Sequence, residues 1–153
     1  MLRIEQVSKL FNPGTPDEKV ALARINLHLA EGDFVTVIGS NGAGKSTLMN
    51  IISGVMAPDA GKVQIDGKQV DTLPEFRRSA WIGRVFQDPM AGTAPTMTIQ
   101  ENLAMAAMRS KRRGLSIGVT SRKRQWYREQ LSRLGIGLED RLNAKVGLLS
   151  GGE

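Results

Sequence analysis

Apolar and polar residues alternate at every step through Arg24-Ile25-Asn26-Leu27-His28-Leu29. A period of two predicts a half-buried strand, with Ile25, Leu27 and Leu29 inward and His28 outward. Residues 2–7 predict an opening strand, and Asn12-Pro13-Gly14-Thr15-Pro16-Asp17 a loop between the two. Glu31-Gly32-Asp33 turns the chain into residues 33–38, a short, nearly continuous apolar run that predicts a buried parallel strand. Residues 45–53 predict a helix, stopped by Gly54. Residues 62–65 and 68–70 flank Asp66-Gly67, a hairpin signal because both central positions of that turn want positive φ. A short helix from Pro74 is expected within 73–79, then a strand over 81–86 that ends where Pro89 forbids simple continuation.

The pattern changes after that proline. Residues 90–97 predict a loop, and Thr98-Ile99-Gln100-Glu101 a capping box opening a helix through Arg109. Ile99, Leu103, Met105, Ala106 and Met108 supply its apolar positions, the methionines as adaptable core rather than ligands. Thr120 or Ser121 caps a second helix through Leu134, closed by Gly135. Repeats and low-complexity tracts are absent.

Composition adds bounds. At 153 residues the chain is the size of one domain, and 41% apolar with 24% charged residues describes a globular protein rather than a disordered one. No apolar run approaches bilayer length, and the first residues lack a secretory h-region. Zero cysteines exclude disulfides and thiolate metal sites and fit a cytosolic protein. The net charge of +6 is local. Between Arg109 and Arg133 nine basic residues stand against one acid, Glu129. Such a patch suits a solvated helix face, an anionic membrane or membrane partner, or nucleic acid. Aromatic interleaving stops at Trp126-Tyr127, too little for single-strand stacking. His28, the one histidine, is expected to be exposed and structural.

The chemistry is concentrated in Gly39-Ser40-Asn41-Gly42-Ala43-Gly44-Lys45-Ser46-Thr47, which fits G-x-x-x-x-G-K-[ST]. Glycines let successive backbone N–H groups point inward at an anion. Lys45 then reaches the outer phosphates, the Ser46 hydroxyl can ligate Mg²⁺, and the following helix turns its positive end to the anion. A strand before and a helix after make a glycine-rich turn without function the poorer reading. A nucleoside triphosphate is the expected ligand.

With Gln87 closing a strand some forty residues on and Leu149-Ser150-Gly151-Gly152 following a helical stretch, the sequence resembles an ATP-binding-cassette ATPase along essentially its whole length. The resemblance implies an α/β fold. It comprises a P-loop NTPase core with an antiparallel β subdomain over residues 1–88 and a helical insertion over 89–149. The signature motif and its helix begin at 150–153, so the domain is expected to be incomplete at the C-terminus. It places Phe11 where an aromatic ring stacks on adenine, although a core phenylalanine is the alternative. Gln87 resembles the glutamine that senses Mg²⁺ and the attacking water and lies beside the membrane subunit. Ser150, Gly151 and Gly152 resemble the signature that closes on the γ-phosphate of ATP held by a second ATP-binding subunit. Glu153 departs from the usual glutamine there.

The family hydrolyses ATP with an apolar strand ending in Asp-Glu and with a later histidine. Four apolar residues followed by Asp-Glu occur nowhere in 1–153, so this piece is expected to bind ATP and Mg²⁺ without hydrolysing it alone, and to expose apolar sheet edge. The implied role is the ATP-binding subunit of a bacterial transporter. It would be peripheral on the cytoplasmic face of the inner membrane and partnered by transmembrane permease subunits. Residues 95–103 resemble importers rather than exporters. The alternative is a cassette ATPase without membrane partner, acting on nucleic acid or ribosomes through the basic patch. A stand-alone kinase or GTPase leaves Leu149 to Gly152 unexplained.

Overall fold

The computed structural model describes residues 1–109 and 117–149. They form two compact units, divided between Ile82 and Gly83, each with its own apolar core.

The first unit is built on an antiparallel sheet in the order β2-β1-β3-β4, with β1 at Leu2–Phe11, β2 at Lys19–Leu29, β3 at Ala60–Ile65 and β4 at Lys68–Gln69. The strict alternation of 24–29 becomes one half-buried face of Ile25, Leu27 and Leu29, with His28 exposed. Irregularities in the ladder shift that parity. Gln6 (φ 51) and Arg24 (φ 48) take left-handed backbone, and β1–β2 pairing slips on either side of Val7 and again between Lys9 and Leu10. The amides freed there are satisfied by side chains: Gln6 N–H donates to Asn26 Oδ1 at 2.9 Å and Arg24 N–H to Ser8 Oγ at 3.0 Å. The shift lets Leu22, at an even position, reach the same core as Ile25 at an odd one. Asp66 (φ 50) and Gly67 (φ 73) form the expected turn between β3 and β4.

Helix α1, Lys45–Ser53, buries Leu48 and Ile51 against Ile4, Val7 and Val63 of the sheet. It stops where the sequence places its terminator: Gly54 (φ 86) donates to Asn50 and Ile51 carbonyls. Helix α2, Glu75–Arg78, follows Pro74 and lies within the short helix expected there.

Two sequence expectations are corrected. Residues 33–38 and 81–86 form no strand, and Phe34, Ile38 and Val85 are 94%, 89% and 98% exposed. An apolar run favours extended backbone, but a strand exists only where a neighbour completes its ladder. Among the described residues the sheet consists of four antiparallel strands, and neither segment pairs with them.

In the second unit α3 is Ile99–Ala107 and α4 is Ser121–Ser132. The capping box forms as read: Glu101 N–H donates to Thr98 Oγ1, and Thr98 N–H donates to Glu101 Oε2 at 2.8 Å. That backbone bond holds the Glu101 carboxyl below its ordinary pKa. Thr120 caps α4 by accepting from Lys123 N–H. The chain returns over the start of α3, where Ile99 N–H donates to Ala144 and Gln100 N–H to Leu142. Ile99, Ala104, Tyr127, Leu131, Leu138 and Leu142 close the core. Met105, read as a core position, faces solvent instead, because Ala104 occupies the buried face. Among the described residues no helix is long and apolar enough to cross a membrane.

Candidate nucleotide-binding site

The loop from Gly39 to Lys45 curls as its glycines permit. Gly42 (φ 81) and Gly44 (φ 87) adopt the left-handed region, Ala43 N–H closes a turn on Ser40, and Leu48 N–H makes the first helical bond to Gly44. Gly44 is fixed twice over, because a Cβ there would collide with the Ala21 carbonyl of β2. Side chain and backbone therefore select the same residue. The Lys45 ammonium lies across the loop, donating to the carbonyls of Gly39 at 2.6 Å and Ser40 at 2.8 Å.

Against this loop the end of the β1–β2 ladder borders an open cavity of about 290 Å³. Phe11, Lys19 and Ala21 line one side and residues 41–47 the other. Phe11 and Lys19 face each other across the ladder, as do Leu10 and Val20. The ring of Phe11 is half-buried and carries the Lys9 ammonium 6.0 Å from its centroid. Ser46 is exposed at the cavity and Thr47 half-buried.

The electrostatics favour an anion. No carboxylate lines the cavity, two ammonium groups do, and the first turn of α1 holds no acid to mask its positive end. Hard oxygen donors suit Mg²⁺, and the exposed Ser46 hydroxyl is one. Among the described residues no group of three or more His, Cys, Asp or Glu could hold a metal, so protein carboxylates alone form no such cage there.

The structure thus gathers Phe11, Gly42, Lys45, Ser46 and Thr47 of the expected residues around one cavity, with Asn41, Ala43 and Gly44 beside them, while Gly39 and Ser40 hold the lysine. Gln87 belongs to the second unit, exposed just before the Pro89–Gly92 turn, whose first bend Asp88 stabilises by accepting from Met90 N–H at 2.9 Å. Ser150, Gly151 and Gly152 lie outside the described residues. Lys19 and Ala21 are the residues that sequence reasoning missed. Their only signal was the register of β1 on β2, which the shifts along that ladder make unreadable from spacing.

The sequence profile of the family described as ABC transporter matches residues 22–153, beginning inside β2 and running through the loop and helices α1 to α4. The chain belongs to the ABC transporter family. Among its relatives is the tyrosine transport ATP-binding protein of Clostridioides difficile, 37% identical over the whole of this chain and 61% of that protein. The lipoprotein-releasing system ATP-binding protein LolD 1 of Caulobacter vibrioides is 34% identical over 96% of this chain and 60% of its own. A dimeric ATP-binding cassette in a post-hydrolysis state, bound to ADP and Pi, superposes with a TM-score of 0.79. It is 31% identical, over 99% of this chain and 64% of that one. The fold is therefore that of ABC cassettes, P-loop NTPases of mixed α/β type. This chain spans about three fifths of the length of these relatives.

Proposed function

We propose that this chain binds MgATP as part of the ATP-binding subunit of a bacterial ABC transporter of the import kind. The observation that carries the reading is the cavity between Phe11 and the loop ending in Lys45. It combines a ring for the base, inward-curled backbone and an ammonium for the outer phosphates. Support for the transport role comes from relatives named for tyrosine transport, choline transport and spermidine/putrescine import. Phe11 stacks on adenine, residues 39–47 hold the phosphates, and the Ser46 hydroxyl would hold Mg²⁺. That ion neutralises charge on the phosphoryl oxygens.

The same reading assigns Ser150, Gly151 and Gly152 to a second ATP-binding subunit across an ATP sandwich. Permease subunits take up the closing motion at the inner face of the membrane. It divides the chain into a nucleotide-binding core over 1–88 and a helical subdomain over 89–149. No apolar run within the 153 residues ends in Asp-Glu, so the 153-residue chain is expected to bind ATP without turnover.

Lys45→Ala tests the site. It removes the charge that meets the outer phosphates, and titration calorimetry is expected to show at least a tenfold loss of ATP affinity. Equal affinity for wild type and variant would reject the reading.

A further inference from the structure

We infer that Lys19 is a second phosphate-binding cation of this cavity, meeting the part of the chain that ATP and ADP share. The inference rests on the nucleotide reading of the loop and adds a residue that the G-x-x-x-x-G-K-[ST] pattern does not contain.

Register puts it there. Lys19 pairs with Phe11 across the β1–β2 ladder, and Phe11, Lys19 and Ala21 all line the cavity. The Ala21 carbonyl lies against Gly44, so this stretch of β2 runs beside the loop. Lys19 accordingly hangs over Gly42: a Cβ built on that glycine would stand 3.2 Å from Lys19 Nζ. Lys45 Nζ is held at Gly39 and Ser40, so the two ammonium groups serve different stretches of one loop.

The neighbouring charges leave Lys19 available. Lys9, on the opposite strand, is committed to Asp59 at 2.6 Å. Glu18, next to Lys19 in sequence, accepts from Gly14 N–H at 2.7 Å. Among the described residues no ion pair includes Lys19. An exposed ammonium held over inward-pointing amides, in a cavity lined by no carboxylate, has a phosphate oxygen as its natural counter-ion. Phe11, directly opposite on β1, fixes the base side of the ligand, which places Lys19 between base and terminal phosphate.

Titration calorimetry of the 153-residue chain with ATP and with ADP tests this, using Lys19→Met, Lys19→Arg and Lys45→Ala across a range of NaCl. Lys19→Met is expected to weaken both nucleotides about tenfold at low salt. The gap should narrow as salt rises, and Lys19→Arg should keep most of the affinity. Unchanged affinity in Lys19→Met would overturn the inference, as would a loss that ignores salt or that arginine fails to rescue. Wild-type affinity lost in Lys45→Ala but kept in Lys19→Met sinks this inference alone. A wild type that binds neither nucleotide sinks the site reading beneath it.

Discussion

Arg78 is 1% exposed, and four carbonyls surround its guanidinium. Nη1 donates to Ile51 at 2.6 Å and Ile52 at 3.0 Å, Nε to Leu73 at 2.8 Å, and Nη2 to Asp71 at 2.9 Å. Two of those carbonyls are in the last turn of α1, so the cation sits at the negative end of the helix whose positive end faces the cavity. Burial pushes the guanidinium below its usual pKa, yet arginine retains its proton. Gly54 leaves room for it, since a Cβ there would stand 2.7 Å from Arg78 Nε. Arg78→Met keeps the volume but strips the donors, and chemical denaturation is expected to show a loss of about 3 kcal/mol. A change within experimental scatter would mean that water satisfies those carbonyls instead. Nothing in the sequence distinguished Arg78 from Arg77; only the packing of α2 under α1 does. The loop residues were different: Gly42 and Gly44 were legible because left-handed backbone favours glycine, and Lys45 because the motif sets one ammonium beside the loop.

Among the elements, those with local signals formed where they were read. The capping box at Thr98, the Asp66-Gly67 turn and the Gly54 stop each satisfy their own backbone groups within a few residues. Elements that rely on distant partners did not follow. Strand β1 runs to Phe11, beyond the predicted 2–7, because β2 and the connection before β3 support it. Asp59 supplies that support: its carboxylate accepts from Leu10 N–H at 2.7 Å and from Lys9 Nζ at 2.6 Å. The Leu10 amide first, then the Lys9 side chain, hold its pKa below the ordinary value. A carboxyl depressed in the folded state stabilises above its unfolded pKa and loses that contribution as pH falls through the folded one. As pH falls from the ordinary carboxyl pKa through the lower folded one, thermal melting of wild type is expected to fall toward that of Asp59→Asn, and the difference between them should vanish in strong acid. A constant difference down to that pH would reject the tether.

At the scale of the molecule, the chain presents large apolar side chains that its cores do not use. Phe34, Ile38 and Val85 are almost fully exposed, and Phe76 is 73% exposed. Exposed apolar segments of extended backbone are association surfaces. Phe34→Ser with Ile38→Ser is expected to reduce self-association in sedimentation velocity while leaving the far-ultraviolet dichroism unchanged. An identical size distribution would show that these residues are not the sticky surface.

By itself, the sequence determined whatever is settled within a few residues of backbone: where helices start and stop, which turn joins β3 to β4, and that residues 39–45 curl into a glycine-rich loop closed by Lys45. Those outcomes depend on φ preference, capping bonds and the missing Cβ of glycine, all local quantities. Tertiary structure alone decided that residues 33–38 and 81–86 remain unpaired, that Arg78 is the buried donor for α1, and that Lys19 comes to rest over Gly42. Each of these depends on which segment lies alongside which, and the register shifts of the β1–β2 ladder are enough to hide that from any periodicity.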